Sequence, residues 1–313
     1  MKKIQILLST YNGEKYLREQ LDSYLSLDNY SEVKVLVRDD GSTDATREIL
    51  SEYRDLHGFE VIFGKNVGLN ASLHELLLKA DRECEYFAFS DQDDVWLPCK
   101  LSRAVAALSE HSGEYVLYCA CSSLTDEALN VKGHTLVPKK SPNFYNAMVQ
   151  NVAIGHTQVF GRGILELLSR EFSADMVVTD HWNYLLSSGV GEVVYDACET
   201  TLYRQHGENV IGYGHNFFTK LSTRIKRVFT GKPKENTRQL EAFFNCYSDV
   251  IKEDCKKELE SFLSSQKNVF KRVSYLFKTR TYRQTAAETL IFRLMYFFGR
   301  YKIKTQKQRR QFE

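Results

Sequence analysis

The chain has 313 residues and a net charge of +2, with 43% hydrophobic and 26% charged residues, the composition of a folded protein with a substantial core. No stretch approaches the roughly 18 consecutive apolar residues of a membrane-spanning helix, and the N-terminus turns polar too early for a secretory leader. Seven cysteines without a Cys-x-x-Cys pair argue against a disulfide framework or a structural zinc site, so we expect a protein that is made and kept in the cytoplasm.

Short apolar strands alternate with amphipathic helices in the first third of the chain. The predicted strands are 4–10, 33–38, 59–63 and 86–90, and the predicted helices between them are 14–27, 44–53 and 69–80. Helices between short buried strands imply a parallel sheet with helices on its faces. We therefore predict the nucleotide-binding half of an α/β fold in this region.

The pattern becomes less regular after Pro98. A helix to about Glu110 is followed by predicted strands at 115–121, 157–160, 191–195 and 201–204, with helices near 163–171 and 180–188. Residues 216–310 show no convincing strand and are rich in Phe, Tyr, Lys and Arg, so we predict helices with basic and aromatic faces.

Charge is segregated along the chain. Residues 1–216 hold 19 Lys and Arg against 31 Asp and Glu, whereas residues 217–313 hold 23 against 9. An acidic part suits a metal ion and its ligand, and a basic part suits an anionic surface such as a membrane or a nucleic acid. We predict a boundary near residue 217.

Polar clusters follow three of the predicted strands where each strand ends. In an open parallel sheet, ligands bind beyond the carboxyl ends of the strands, so these clusters should converge on one edge. A turn followed by a helix cap is an equally simple interpretation of the second cluster. The clusters are Ser9 to Gly13, Asp39 to Asp44 and Ser90 to Asp94.

The third cluster holds three carboxylates within four residues, those of Asp91, Asp93 and Asp94. In a partly buried site they would repel one another unless a cation or protons neutralised them. A divalent metal does so, and oxygen ligands suit Mg²⁺ or Mn²⁺, which would also offset the charge of a diphosphate. A solvated acidic loop is the alternative.

Four segments, in this order, resemble the successive motifs of the family 2 glycosyltransferases. Each motif is weak alone, but the order and spacing match over residues 1–110, and later matches extend to about residue 215. The resemblance implies the GT-A nucleotide-diphosphosugar transferase fold, an α/β fold with a Rossmann-like mixed sheet and a C-terminal helical, basic extension. The segments are Ser9-Thr-Tyr-Asn12, Arg38-Asp-Asp-Gly-Ser-Thr-Asp44, Asn66-Val-Gly68 and Ser90-Asp-Gln-Asp-Asp-Val-Trp-Leu-Pro98.

The resemblance and the charge boundary together divide the chain into two parts. Residues 1–216 would form the catalytic domain, with 1–110 as its nucleotide-sugar half and 111–216 as its acceptor half. Residues 217–313 would form the extension.

The resemblance also implies roles for the polar side chains of the motifs. Thr10, Tyr11 and Asp40 would surround the nucleotide base, and Asp39 would support this shell. Asp91 would meet the ribose or the metal, Asp93 would bind the metal that bridges the diphosphate, and Asp94 would touch the donor sugar. Asn12 and Asn66 complete the expected donor contacts.

One departure from the family pattern follows the third motif. Many members carry Ala-Arg-Asn there, whereas this chain reads Leu69-Asn70-Ala71. Lys65 or Asn70 is expected to replace the missing arginine. His74, on an otherwise apolar helix, is interpreted as a packed histidine.

The acceptor side needs a group that takes the hydroxyl proton while the metal stabilises the leaving diphosphate. Asp180 is the candidate base, since it lies where an apolar run meets a helix start and matches the family's acidic base by position. A simple helix cap is the alternative interpretation of Asp180. His181 is the second candidate for the base. Trp182 would face a sugar ring or belong to the core. A late loop resembles one that closes over the diphosphate, which would bring Arg204 to the phosphate and His206 to the phosphate or metal.

The function implied is inverting, non-processive transfer of one hexose, because the Gln-x-x-Arg-Trp motif and spanning helices of processive members are missing from this sequence. Similarity to O-antigen enzymes implies glucose from UDP-glucose, joined β-1,3 to GlcNAc-diphosphate-undecaprenol, with dTDP-rhamnose as the alternative donor. Two other classes of function are kept as alternatives. One is a nucleotidyltransferase, which usually needs a glycine-rich basic loop after its first strand, and the other is a non-catalytic membrane scaffold.

The basic tail has the composition of interfacial helices attracted to anionic lipid. We expect residues 217–313 to hold the protein on the cytoplasmic face of the inner membrane, beside a lipid-held acceptor, and expect no nucleic-acid partner. A solvated helical bundle or a nucleic-acid-binding tail is the alternative.

Overall fold

The computed structural model describes residues 4–111, 114–206 and 232–303. Among these, residues 4–142, 151–172 and 178–206 belong to one compact unit, and residues 143–150, 173–177 and 232–303 belong to a second. The boundary predicted near residue 217 lies outside the described residues.

The first unit is built on a mixed β-sheet. Its strands are β1 (Ile4–Thr10), β2 (Val33–Asp39), β3 (Glu60–Phe63), β4 (Tyr86–Ser90), β5 (Val95–Trp96), β6 (Val116–Thr125), β7 (Val131–His134), β8 (Val159–Gly161) and β9 (Glu192–Arg204). Their order is β3-β2-β1-β4-β8-β6-β9-β5, with β7 paired to β6. The strands β3, β2, β1 and β4 pair in parallel, β8 is antiparallel to β4 and β6, and β9 is parallel to β6. The predicted parallel strands of the first third are therefore confirmed.

Helices separate the strands of the first unit and make up most of the second. In chain order they are α1 (Leu17–Leu25), α2 (Thr46–His57), α3 (Leu69–Lys79), α4 (Lys100–Ser109), α5 (Phe144–Ala147), α6 (Arg162–Leu168), α7 (Thr179–Val190), α8 (Lys232–Tyr247), α9 (Glu253–Ser265), α10 (Val269–Lys278) and α11 (Ala286–Phe297). No described helix is long and apolar enough to span a bilayer.

The core of the first unit forms around β1, all seven residues of which are buried. Ile4, Ile6 and Leu8 point into a cluster that includes Leu17 and Leu21 of α1. The helix α3 also contacts β1. A central strand covered by helices keeps its backbone rigid, and this rigidity fixes the loops at its carboxyl end.

One strand prediction was wrong. The chain forms one long strand, β9, where two strands separated by a polar stretch were expected. The polar stretch stays in the sheet because its side chains have partners: Asp196 accepts hydrogen bonds from Arg103 and from the Tyr118 hydroxyl. Irregular register against β6 near Cys121 absorbs the interruption.

The second unit packs aromatic side chains near a partly buried carboxylate. Tyr275 and Tyr296 have ring centroids 4.8 Å apart, and Phe262 lies 5.0 Å from Tyr296. Glu258 accepts hydrogen bonds from the hydroxyls of Tyr275 and Thr281, at 2.9 and 3.0 Å. The helical prediction for the C-terminal region is confirmed within residues 232–303.

Candidate active site and metal centre

The three polar clusters meet at one edge of the sheet. Because β1, β2 and β4 are parallel, Thr10 lies opposite Asp39, and Leu8 lies opposite Ser90. The clusters are then joined directly: the Tyr11 amide donates to Gln92 Oε1 at 2.9 Å, and Gln92 Nε2 donates back to the Tyr11 carbonyl at 3.1 Å.

Contacts between the first and second clusters complete this edge. The Asn12 amide donates to Ser42 Oγ at 2.9 Å, and the Thr43 amide donates to Asn12 Oδ1 at 2.9 Å. The Thr10 hydroxyl is buried without a hydrogen-bond partner in the described chain, whereas the ring of Tyr11 is exposed. Both lie at the edge where donor contacts were predicted.

The carboxylates of the second cluster are satisfied by protein groups. Asp40 accepts a hydrogen bond from Arg38 Nη1 at 2.6 Å and from the amides of Val67 and Gly68 at 2.9 Å each. This bonding holds the 66–68 loop against the turn at Gly41, whose φ of +81° favours glycine. The predicted contacts of Asp40 and Asn66 with the donor remain predictions.

Asp39 holds the same turn from inside the protein. It is fully buried, accepts hydrogen bonds from the amides of Gly41 and Ser42, and pairs with Arg47 Nε at 3.1 Å. The supporting role expected of it behind the donor contacts remains a prediction.

The third cluster brings two carboxylates to a histidine. Asp94 Oδ2 lies 3.3 Å from His156 Nδ1, and Asp91 Oδ2 lies 3.5 Å from the same nitrogen. The two buried atoms, Asp94 Oδ2 and His156 Nδ1, have no hydrogen-bond partner among the described residues. The other ring nitrogen of His156 is hydrogen-bonded to Ser122 Oγ at 2.9 Å, which fixes the ring.

These three residues fit a divalent cation. Their ligand atoms lie within 4.8 Å of one another, and Asp91 is half exposed while Asp94 and His156 are buried, so the group is open on one side. Buried polar atoms are normally hydrogen-bonded, and a cation would supply a bond to each of the two atoms that lack a hydrogen bond. Carboxylates suit Mg²⁺ and Mn²⁺, and the imidazole favours Mn²⁺ of the two.

Electrostatics in this cluster also favour a cation. Burial, with the neighbouring charges of Asp93 and Asp91, raises the pKa of Asp94 well above its ordinary value. Burial and Asp91 likewise raise the pKa of Asp93, against the opposing effect of His206. A bound cation would allow both groups to ionise at neutral pH without this penalty.

The predicted metal ligands fall into two neighbouring groups. Asp93 Oδ2 lies 2.8 Å from His206 Nε2, whereas Asp91 faces Asp94 and His156. His156 was not predicted because its distance along the chain from the acidic motif carries no signal. Only the sheet shows it, since the strand that follows it, β8, pairs with β4.

Lys100 is a second residue that the sequence did not reveal. It is fully buried, its Nζ donates to the His156 carbonyl at 2.8 Å and to Thr201 Oγ1 at 3.0 Å, and it lies 4.4 Å from the centre of the Trp96 ring. Burial lowers the pKa of Lys100 to about 7, although Asp94 opposes this. In sequence it reads as an ordinary solvated lysine at a helix start.

Arg204 supports the acidic loop from within the protein. Its amide donates to Asp94 Oδ1 at 3.1 Å, its Nε donates to the Asp93 carbonyl at 2.9 Å, and its Nη2 donates to Glu19 Oε2 at 2.7 Å. The guanidinium also stacks 4.5 Å from the Tyr16 ring centre. Its predicted contact with phosphate remains a prediction, and its observed partners are protein groups.

Asp180 lies in the first turn of α7, where Val178 and not Asp180 is the capping residue. Its two oxygens accept hydrogen bonds from the amides of Gly155, at 3.1 Å, and His181, at 2.6 Å. Burial and, to a smaller extent, the charge of Asp91 raise the pKa of Asp180 to about 6, although the His181 amide opposes this rise. A carboxylate with this pKa is ionised at neutral pH and more basic than an ordinary aspartate.

The contacts of Asn70, Trp182 and His74 bear on three of the sequence interpretations. Asn70 Oδ1 accepts hydrogen bonds from the amide and hydroxyl of Thr179, so Asn70 supports the start of α7. Trp182 is buried and belongs to the core. His74 packs 5.4 Å from the Phe172 ring, as expected of a packed histidine.

Sequence comparison identifies the family. The model described as glycosyl transferase family 2 matches residues 5–168, over half of the chain. An uncharacterised protein of Mycobacterium tuberculosis is 37% identical over 112 residues, which is 34% of this chain and 32% of that protein. The chain thus aligns with about a third of the length of this relative and of its mycobacterial counterparts. The dTDP-rhamnosyl transferase RfbG of Shigella flexneri is 25% identical over 254 residues, 77% of this chain and 85% of that one.

Solved structures confirm the predicted fold. Staphylococcus aureus TarS in complex with UDP-GlcNAc matches with a TM-score of 0.59 and 16% identity, over 96% of this chain and 82% of that one. A mannosyltransferase of Pyrobaculum calidifontis in complex with GDP-Man and Mn²⁺ matches with a TM-score of 0.53 and 16% identity, over 95% of this chain and 85% of that one. The mixed sheet is therefore a GT-A fold with a helical C-terminal region.

Proposed function

Because the chain belongs to glycosyl transferase family 2, we propose that it is an inverting, non-processive hexosyltransferase that uses a nucleotide-diphosphate sugar. The observation that carries this proposal is the group formed by Asp91, Asp94 and His156 at the carboxyl edge of the sheet. Two of its three ligand atoms are buried and have no hydrogen bond within the described chain, as expected of a site built for a cation.

Different residues of the site would act on the donor and on the acceptor. Asp91, Asp94 and His156 would hold the divalent ion, which when bound offsets the charge that develops on the leaving diphosphate. Asp93, paired with His206, is the next candidate ligand. Arg204 and Lys100 keep these groups in place by binding the backbone of Asp93 and of His156.

Asp180 would act as the general base. It would take the proton of the acceptor hydroxyl as that oxygen attacks the sugar carbon on the face opposite the leaving diphosphate. Its pKa of about 6 keeps it ionised at neutral pH, and its two amide contacts hold the carboxylate in one orientation. Thr10, Tyr11 and Asn12 would contact the donor, on the edge supported by Asp39 and Asp40.

The donor is proposed from two sources. The resemblance to O-antigen enzymes supports UDP-glucose, joined β-1,3 to GlcNAc-diphosphate-undecaprenol in surface-polysaccharide synthesis such as that of O-antigen. The long alignment with RfbG, named a dTDP-rhamnosyl transferase, favours dTDP-rhamnose as the second candidate. With such a lipid-held acceptor, residues 1–216 would catalyse transfer, and residues 217–313 would hold the enzyme on the cytoplasmic face of the inner membrane.

The test is transfer from a panel of UDP- and dTDP-sugars to a GlcNAc-diphosphate-lipid analogue, with Mn²⁺ or Mg²⁺ and with a chelator. We expect addition of a single sugar, release of the nucleoside diphosphate, and loss of transfer in Asp94→Asn. Asp55→Asn changes an exposed carboxylate paired with Arg54 and should leave transfer intact. Formation of a nucleotide-diphosphate sugar and inorganic diphosphate from a nucleoside triphosphate and a sugar 1-phosphate, without transfer to the acceptor, would instead indicate a nucleotidyltransferase. No transfer from any donor would contradict the proposal and favour a non-catalytic scaffold.

A further inference from the structure

The last two helices of the second unit expose large apolar side chains to solvent. On α10, Phe270 and Phe277 are 83% and 87% exposed, and they lie seven residues apart, on the same side of the helix. On α11, Leu290 and Leu294 are four residues apart and are exposed as well, and Phe298, directly after the helix, is 70% exposed. We call these five residues the apolar face.

The apolar face is separate from the side by which these helices pack. Tyr275 of α10 and Tyr296 of α11 are buried against each other and against Phe262. Arg272 Nε donates to the Phe297 carbonyl at 2.9 Å, which ties α10 to the end of α11. The exposed side chains therefore project from a packed helix pair, and their exposure is not the result of an unfolded segment.

Positive charge accompanies the apolar face and is concentrated there. Residues 267–303 contain nine Lys and Arg and one Glu, whereas residues 232–266 contain six Lys and Arg and seven Asp and Glu. Lys271 and Lys278 directly follow the two exposed phenylalanines, and both are exposed. The basic excess of the described C-terminal region thus belongs to residues 267–303, which include α10, α11 and the segments around them, and residues 232–266, with α8 and α9, do not share it.

We propose that the apolar face docks on an anionic membrane surface, with its apolar side chains in the headgroup boundary and the surrounding cations on lipid phosphates. Aromatic and aliphatic side chains combined with Lys and Arg are the composition of helices that lie in a membrane interface. A nucleic acid would bind the cations and could stack its bases on phenylalanine, but Leu290 and Leu294 can neither pair with its phosphates nor stack on its bases. A second copy of the chain would carry the same net positive charge on its own apolar face, which opposes self-association.

This inference rests on the proposed membrane location of the reaction, yet lipid binding can be measured without donor or acceptor. The probe is a set of vesicles of phosphatidylcholine alone or mixed with phosphatidylglycerol, and the full chain is sedimented with them. We expect binding to the anionic vesicles only, weakened as salt is raised from about 0.1 M to about 1 M.

The decisive variant is Phe270→Glu combined with Phe277→Glu, whose side chains are too exposed to affect folding strongly. We expect binding to anionic vesicles to fall by about tenfold or more, because two apolar anchors are replaced by anions. Leu56→Glu, at a residue of α2 that is 69% exposed, is the matched control and should bind as the wild type does.

Other results would overturn the docking proposal. These are equal binding by the double variant and the wild type, no binding by the wild type, or a wild-type dimer that the variant dissociates without any vesicle binding. Binding of single-stranded DNA that the double variant loses, without vesicle binding, would assign the face to nucleic acid instead. Sugar transfer to a water-soluble acceptor analogue should be unchanged in the double variant, so a failure of docking can be told apart from a failure of the proposed reaction.

Discussion

Replacing Asp180 with asparagine should separate its catalytic role from its effect on stability. Burial raises the pKa of Asp180 to about 6, whereas an aspartate in an unfolded chain has a pKa of about 3.9. The folded protein therefore holds the proton more tightly than the unfolded chain, and ionisation of Asp180 costs about 3 kcal/mol of stability at neutral pH. This penalty is fully present above pH 6 and fades as the pH falls toward 4.

The free-energy cost of ionising Asp180 can be measured by comparing the wild type with the Asp180→Asn variant across pH. Asparagine cannot accept both amide hydrogen bonds, from Gly155 and His181, and this loss destabilises the variant by about 1–3 kcal/mol at every pH. The ionisation penalty of the wild type instead changes by about 2 kcal/mol between about pH 4.5 and about pH 7.5. Relative to the wild type, the Asp180→Asn variant should therefore gain about 2 kcal/mol of unfolding free energy over that range.

Urea unfolding at several pH values measures this difference, and initial rates of sugar transfer measure the catalytic role. We expect kcat/KM of the wild type to fall about tenfold per pH unit below about pH 6, and the variant to lose about 100- to 10,000-fold in rate at pH 7.5. Asp175→Asn, at an exposed carboxylate in the segment before α7, is the control and should change neither quantity. A variant that keeps its rate, or a stability difference that does not vary with pH, would refute the reasoning.

Three further predictions concern the groups around the site. Ser122→Ala removes the hydrogen bond that fixes the His156 ring and should weaken Mn²⁺ binding by about tenfold to 100-fold. Electron paramagnetic resonance without any sugar donor measures this binding, and an unchanged affinity would contradict the metal assignment. Arg204→Lys removes several guanidinium hydrogen bonds, among them those to the Asp93 carbonyl and to Glu19, and should lower the free energy of urea unfolding by about 2–3 kcal/mol. The exposed control Arg54→Lys should change this free energy by no more than about 0.5 kcal/mol. Gly155→Ala would place a Cβ 3.2 Å from Asp180 Cβ, so the shifted carboxylate should slow transfer about tenfold with an unchanged far-ultraviolet spectrum; a wild-type rate would show that the position of this carboxylate is unimportant.

The strands and their carboxyl-end clusters could be predicted because they depend on local patterns. An alternation of apolar strands with helices predicts parallel strands. Because the strands are parallel, the loops after Thr10, Asp39 and Ser90 meet at one edge of the sheet. His156 and Lys100 could not be predicted, because each reaches the site through sheet pairing or helix packing between segments distant in sequence.

Carboxylates that look alike in the sequence differ in their partners, and this difference separates scaffold from ligand-binding groups. Asp40 uses both oxygens on protein donors, Arg38 and the 66–68 loop, so ligand binding would have to compete with existing bonds. Asp94 has one oxygen on the Arg204 amide, and its other oxygen is buried without a hydrogen bond in the described chain, 3.3 Å from His156 Nδ1, which also lacks a hydrogen bond there. The two atoms lie within ion-pair distance of each other, and a buried oxygen or nitrogen without a hydrogen bond costs about 1–3 kcal/mol. A cation held by Asp91, Asp94 and His156 would remove this cost, and we therefore propose these three residues as the metal site.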